Sequence, residues 1–405
     1  MKYDVGIVGV GLAGLSTALH ICQNVEATIV LIDRKKIGDP TKTSPFTFCD
    51  VIDRYQLKDA VIQSYTRFTY RSPSGISATF EYRKPVFVTL DYKKACEILL
   101  RRIEREGNAE IIQNAEVLRF ERITKNGLII WLSDERKIVV EILVDASGKS
   151  FLAAKTLGLR LPSYYSHAYG EVLGRCEIED PNEMHILAGR KYGNGGGWFY
   201  PMDETTARYG FATVTKSAEY PSTIVKANFR RAYRSFHPYS EFVKNAESRR
   251  SEFGTIPVGP LKRFVLDNVL IVGDSAGQAT PWYCEGIRPA LESGTMCGKA
   301  IVKAFEDKNR LKERLKEYET EWNAVHRYSY STATKRSFFQ WFRSQEDWDR
   351  GVEETRLLSP EEMIAKVRYG WQGYGNRRIE HLVSLAGSIL FKAKHSIKNR
   401  RSEPR

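Results

Sequence analysis

Three glycines near the start of the chain are spaced for chemistry. Gly9, Gly11 and Gly14 stand in Gly9-Val10-Gly11-Leu12-Ala13-Gly14, directly after the apolar run YDVGIV (3–8) and at the head of a helical pattern reaching Asn24. In a GxGxxG turn the first glycine permits a tight bend and the second lets backbone approach a pyrophosphate. The third lets the helix press against its strand, while the helix start, here Leu12 and Ala13, turns N–H groups toward phosphate oxygens. A second strand, TIVLID (28–33), ends in Asp33 followed by Arg34. A carboxylate there accepts from ribose hydroxyls and repels a 2′-phosphate, so strand, turn, helix and acid together predict a dinucleotide site. The motif alone does not decide between NAD and FAD.

Two further strand ends carry polar turns. Val144-Asp145-Ala146-Ser147-Gly148 closes one apolar run, and Gly273-Asp274-Ser275-Ala276-Gly277 closes another. Soon after come Trp282, Tyr283, Cys284 and Glu285, then Gly286 and Ile287, where a new helical pattern begins. A phenol, a thiol and a carboxyl are groups that hold or relay a proton. The seven histidines are scattered without HExxH, there is no GxSxG, and the six cysteines include no CxxC pair. Hydrolase chemistry, a structural metal and a disulfide frame are therefore not expected, and the thiols fit a reducing cytoplasmic setting.

The elements that must position these groups read as α/β. Strand patterns flank the helical stretch DYKKACEILLRRIERE (91–106), and a turn signal stands at Lys125-Asn126-Gly127. From about 160 to 250 the sequence is strand-like and aromatic, with HAYGEVLGRCEI (167–178) and the glycine run GNGGGWFYP (193–201). The expected architecture is a Rossmann-like nucleotide-binding domain at 1–160 and 255–300 with an inserted antiparallel-sheet substrate domain at 161–254. A helical C-terminal region is expected at 301–405, where Leu311, Leu315, Tyr318, Trp322 and Val325 keep a helical stripe.

The 405 residues are 42% apolar and 27% charged, a globular balance. No run approaches the roughly 20 apolar residues of a spanning helix, and the start lacks the shape of a secretory signal. The chain is expected inside the cell. Lys and Arg exceed Asp and Glu by 13. That excess favours an anionic partner, and without a nucleic-acid-binding motif nucleic acid is not the expected one.

In the order and spacing of GxGxxG, the DASG strand end and the GD box, residues 1–300 resemble the FAD-dependent oxidoreductases of the p-hydroxybenzoate hydroxylase type. The resemblance implies FAD, with Asp274 against the ribityl chain and Gly286 and Ile287 at the flavin pyrimidine edge. At the middle motif the chain departs from the common form, with Ser147 where an acid is usual. Within that group the sequence is most similar to the archaeal geranylgeranyl reductases, whose PxxYxWxFP signature reads here Gly193-Asn194-Gly195-Gly196-Gly197-Trp198-Phe199-Tyr200-Pro201. Trp198 and Pro201 match and Tyr200 is a conservative change. Gly193 and Gly196 replace Pro and Tyr, which is expected to open space at that end.

That resemblance implies reduction of C=C bonds in a geranylgeranyl lipid. Trp198, Tyr200 and Trp282 would contact substrate, and Cys284, Tyr283 or Glu285 would supply a proton. Cys49 ranks lower. The alternatives on this fold are a flavin-dependent hydroxylase or halogenase, though the halogenase WxWxIP motif is not seen, and a non-redox cyclase of the lycopene cyclase type with Glu285 as its acid. No second GxGxxG exists for NAD(P)H, so the electron donor is either ferredoxin or free NAD(P)H. An amphipathic stripe from Ile379 to Leu390, the cationic run Lys392–Arg401 and the cluster Phe338, Phe339, Trp341 and Phe342 suggest peripheral attachment to an anionic membrane face.

Overall fold

The computed structural model describes residues 1–39, 45–123, 127–341 and 344–370, with no side chain described from 332 to 341. The aromatic cluster at 338–342, the stripe at 379–390, the cationic run after it and most of the turn at 125–127 therefore lie outside the described side chains or residues.

The nucleotide half is built on one eight-stranded sheet. Its main order is Val265–Leu266, Val269–Ile271, Lys137–Asp145, Lys2–Val8, Ile29–Ile32, Ala109–Ile112, and the hairpin Val117–Arg122/Leu128–Leu132 pairs onto Lys137–Asp145. Lys2–Val8 runs parallel to both neighbours, with Val5 opposite Ile142 on one side and Ile29 on the other. Such strands are covered on both faces, which explains why Val5, Ile7, Ile29 and Ile142 are all fully buried. The helix Leu12–Cys22 is buried along nearly its whole length because the helix Ile287–Glu306 lies across it. The approach is close: a Cβ on Gly294 would stand 2.4 Å from the Ala13 carbonyl oxygen, and Ser16 Oγ donates to the Leu291 carbonyl at 2.8 Å.

A seven-stranded sheet forms the second layer, in the order Glu247–Val258, Tyr164–Gly174, Ala207–Thr215, Gly197–Pro201, Glu183–Leu187, Arg67–Arg71, Ser77–Glu81. It reaches beyond the 161–254 span expected from sequence. Two strands come from residues 67–81, where Phe68 and Tyr70 are buried, and the last strand of the set runs on to Val258. One face packs Tyr169, Phe199, Tyr209 and Phe211 against the helix Ser222–Ser235 through Val225, Phe229 and Ala232. That helix sits in a stretch read as strand-like, its apolar residues few but at helical spacing. A small sheet of Phe46–Phe48, Phe87–Leu90 and Val61–Tyr65 stands beside these two.

The C-terminal region is helical: Leu311–Trp341, Gln345–Thr355 and Pro360–Tyr369. The stripe on the first of these needs one correction. Leu311, Leu315, Tyr318 and Trp322 are buried, but Val325 is 52% exposed and His326 takes the inward place at 2%. His326 packs on the Trp322 ring at 5.1 Å, continuing the row at four-residue spacing. Among the described residues no helix is long and apolar enough to cross a membrane.

Candidate active site

The GxGxxG turn lies at one end of a cleft of about 790 Å³ between the two sheets. Gly9 holds φ +98°, and a Cβ there would come within 2.3 Å of the Ala146 carbonyl oxygen. A Cβ on Gly14 would stand 2.2 Å from the Gly9 carbonyl oxygen, so helix and strand meet with no room for a side chain. At Gly11 the backbone is ordinary, but a Cβ would meet the Tyr92 hydroxyl at 3.0 Å. Tyr92 lines the cleft and was not singled out from sequence, where nothing but its place after the helix-capping Asp91 marks it.

Asp33 is held from two sides: Oδ2 accepts from the Val10 N–H at 2.8 Å and Oδ1 from the Lys35 N–H at 2.9 Å. The next residue, Arg34, lies 3.7 Å from Glu116, and both line the cleft with Lys149 and Lys155. At the middle motif the fully buried Asp145 accepts from the Ser147 N–H at 2.9 Å and the Ala153 N–H at 2.7 Å, with Ser275 Oγ at 3.3 Å. It thereby ties that strand end to the GD box. Burial raises its carboxyl above the usual range, and these donors oppose the rise.

The GD box is held by Gln278, a residue sequence reasoning passed over. Gln278 Oε1 accepts from the Gly273 N–H at 2.8 Å and its Nε2 donates to Tyr318 at 2.9 Å, while Tyr330 donates to its carbonyl at 2.9 Å. The long helix Leu311–Trp341 thus fixes the turn that carries Asp274. Asp274, Gly286 and Ile287 line the cleft together with Gly9, Leu12 and Ala13, so the starts of two helices open on one space. These residues fit a dinucleotide. The turn excludes side chains where phosphates must approach, two helix starts offer N–H donors, and an acid stands at the ribose end.

A second, narrow cavity of about 80 Å³ continues over the inner face of the seven-stranded sheet. Its wall is aromatic: Tyr70, Trp198, Tyr200, Trp282, Tyr283 and Trp348. Trp198 fits a slot made by Gly170 and Gly210 on neighbouring strands, where a Cβ would come within 2.9 Å and 2.2 Å of its ring. The glycine run corrects an expectation. Cβ atoms on Gly193 and Gly196 would collide with the carbonyl oxygens of Ala212 (2.6 Å) and Leu187 (2.7 Å), so these glycines bring the loop onto the sheet rather than clear space.

Cys284 and Ile256 line both cavities and mark their junction. Cys284 holds φ +53°, an uncommon conformation for a non-glycine residue, with its N–H donated to the Thr280 carbonyl at 2.9 Å. Burial pushes its thiol up to about 11, against a hydrogen bond with Ser166, so it carries its proton at neutral pH. Tyr283 lines only the aromatic cavity, its ring 6.4 Å from that of Tyr70. Glu285 lines neither cavity. Its Oε1 accepts from the Arg288 N–H at 2.7 Å and from Thr47 Oγ1 at 3.2 Å, and its Oε2 lies 3.4 Å from the Arg288 guanidinium, which places it as a helix-start anchor. Cys49 also lines neither cavity, and burial pushes its thiol up to about 11.

The sequence profile of the lycopene cyclase protein family matches residues 4–353. The chain belongs to that family. Among curated relatives, the digeranylgeranylglycerophospholipid reductase of Methanococcus vannielii is 26% identical over 345 residues, 80% of this chain and 83% of that one. Digeranylgeranylglycerophospholipid reductase 2 of Methanopyrus kandleri is 23% identical over 424 residues, spanning 98% of this chain and all of its own. Among solved structures, a geranylgeranyl bacteriochlorophyll reductase-like protein from Thermoplasma acidophilum superposes with a TM-score of 0.80 at 15% identity, over 91% of this chain and 97% of that one. The p-nitrophenol 4-monooxygenase of Pseudomonas putida gives 0.71 at 12% identity, over 91% and 98%. These likenesses establish the fold expected from sequence, a Rossmann-like nucleotide domain with a sheet-built second layer and C-terminal helices.

Proposed function

We propose that this chain is an FAD-dependent reductase that saturates C=C bonds in a geranylgeranyl lipid. The observation that carries the reading is the junction at Cys284, where the dinucleotide cleft meets a cavity walled by aromatic side chains. The relatives from Methanococcus vannielii and Methanopyrus kandleri, both named digeranylgeranylglycerophospholipid reductases, agree with it.

Saturating one double bond takes a hydride at one carbon and a proton at the other. Bound FAD supplies the hydride equivalent. The chain's own part is to bind, orient and protonate. The glycine turn and the helix starts at Leu12 and Ile287 receive the phosphates and the flavin edge, Asp33 the ribose, and Asp274 the ribityl chain. Trp198, Tyr200 and Trp282 hold the apolar chain and exclude water. Cys284 holds the proton at Sγ and gives it to the second carbon; its thiolate, unfavourable when buried near Asp274, regains a proton from water, with the hydrogen-bonded Ser166 hydroxyl as relay.

The cyclase reading, which the family name brings forward, needs an acid beside the polyene. Glu285, the acid expected for that role, is engaged by Arg288 and Thr47 outside the cavity, which favours the reductase. The test is to incubate the purified protein, reduced by dithionite, with a geranylgeranyl lipid and read the product mass. Gain of two hydrogens per bond is expected; an unchanged mass with altered structure would make it a cyclase, and gain of oxygen a hydroxylase. Parallel arms with reduced ferredoxin and with NAD(P)H identify the donor. Attachment to anionic membrane through the net positive charge is read by sedimentation with anionic and neutral liposomes at low and high salt.

A further inference from the structure

We infer that Trp348 is the residue that sets how much of an apolar chain the aromatic cavity accepts. The inference rests on the proposed reading that the cavity takes a prenyl chain.

The cavity is lined by six of the seven strands of the second sheet. Its wall takes Ile256 from Glu247–Val258, Ser166 and Ala168 from Tyr164–Gly174, Ala212 and Val214 from the next strand, then Trp198, Ile186 and finally Tyr70 from Arg67–Arg71. The strands that supply this wall span five strand-to-strand steps, about 24 Å of sheet at roughly 4.8 Å each, while the space itself is only about 80 Å³. The Ile256 end is shared with the dinucleotide cleft, so the reacting centre lies there.

Trp348 belongs to the other end. Its helix, Gln345–Thr355, packs on Ser77–Glu81, the strand at the far edge of the sheet. Its two ends are fastened to different parts of the chain: Gln345 Oε1 accepts from the N–H of Arg190, in the loop after Glu183–Leu187, at 3.0 Å, and Arg356 Nε donates to the Ser77 carbonyl at 2.6 Å. Among the described residues, the rest of the wall comes from the sheet, the glycine loop before Gly197 and the loop at 282–284, and Trp348 alone comes from a C-terminal helix. Its indole is 6% exposed, and among the described residues its N–H has no hydrogen-bond partner. An indole held only by apolar contact can be pushed aside or replaced without breaking a polar network.

Size makes this consequential. An apolar cavity of about 150 Å³ takes up one benzene, and the 80 Å³ here is smaller than that. With Trp348 in place the cavity therefore holds the chain segment next to Cys284 and stops the remainder at its far end.

The test uses the FAD-loaded full chain and three probes of rising length, geraniol, farnesol and geranylgeraniol, titrated while the visible flavin spectrum is recorded. In the native protein the affinity should level off already at geraniol, whose chain is larger than the benzene that this space is too small to hold. In Trp348→Ala it should keep rising, with at least a tenfold gain for the added isoprene unit, since burying several more carbons is worth that much. Trp348→Leu, a milder change should the alanine variant not fold, should fall between. The same plateau in all three proteins, or none in the native one, overturns the inference. Product mass is read in parallel. An unmoved plateau with hydrogen still added removes the plug and keeps the reductase; a moved plateau with unchanged mass does the reverse; and no binding of any alcohol overturns both.

Discussion

Trp198 rests on Gly210: the two residues are paired across adjacent strands, and a Cβ at Gly210 would reach within 2.2 Å of the indole Cζ2. A bare glycine under an aromatic ring is a device for fixing a large side chain on a sheet without lifting it into the cavity. Gly210→Ala should expel the ring at a cost of about 1–3 kcal/mol, typical of overpacking. We expect a lower urea midpoint and weaker binding of prenyl alcohols with the flavin-to-protein ratio unchanged. Loss of flavin in this variant would contradict the separation of the two cavities' roles.

Gly11→Val should abolish flavin binding, because the new side chain meets Tyr92 and stands in the path of the phosphates. The ratio of flavin absorbance to protein reads this directly, and far-ultraviolet circular dichroism should be unaltered. Part of the effect belongs to Tyr92. Flavin lost in Gly11→Ala should therefore return at least in part in the double variant Gly11→Ala/Tyr92→Phe, which removes the hydroxyl lying 3.0 Å from the added methyl. Asp274→Ala should weaken flavin by less than Gly11→Val, by about one charge-assisted hydrogen bond, roughly 1.5–3 kcal/mol.

Cys284→Ala and Cys284→Gly should both leave dithionite reduction of the flavin unchanged and slow reoxidation by the alkene about 10²-fold or more. They should differ in stability. Glycine tolerates φ +53° without cost, so Cys284→Gly should melt above Cys284→Ala. In the native protein the reoxidation rate should be flat from neutral pH upward and fall only as pH passes about 11, where the thiol loses its proton. A rate falling near pH 8 would point to another donor.

Lys366 makes a prediction about stability and pH. Its ammonium group is buried, donates to Thr355 Oγ1 at 2.7 Å and lies 5.7 Å from the Tyr70 ring, with Glu354 the nearby carboxylate opposing the effect of burial. Burial pulls it down from an ordinary 10.5 to about 7. Between those values the unfolded chain binds a proton that the folded chain does not, so folding stability gains with rising pH across that window and loses the gain as pH falls toward 7. Lys366→Met should flatten this slope in urea unfolding measured at pH 7, 8 and 9. An identical slope in both proteins would show Lys366 to be solvated.

What could be read from residue order was what depends on local spacing. The turn at Gly9–Gly14, the acid at Asp33, the GD box and the helix starting at Ile287 each announce themselves within a few residues, because a strand end, a glycine and a helix start are neighbours in the chain. What could not be read depends on partners far apart. Gln278 acquires its role only when Tyr318 and Tyr330 of a helix some forty residues on reach it. Glu285 looks like an acid beside a loop until Arg288 and Thr47 are found on it. Val325 and His326 are one residue apart on a helix, and what faces them, Trp322 and Glu292, decides which turns inward. Tyr70 and Trp348 come from opposite ends of the chain and share a wall, a pairing that periodicity does not encode.

The parallel pairing of Arg67–Arg71 with Glu183–Leu187 bears on how substrate preference can be exchanged between relatives. The chain enters the second sheet early, leaves it for Ala109–Ile112 in the first, and comes back at Tyr164. A chimera that transplants only 164–258 would leave the recipient's pair Arg67–Arg71 and Ser77–Glu81 against a foreign neighbour at Glu183–Leu187, with ladder donors and acceptors free to slip out of register. Recombination that keeps the sheet whole must take 67–81 and 164–258 from one parent, which makes this layer a poor module for shuffling and ties its divergence to two distant stretches changing together.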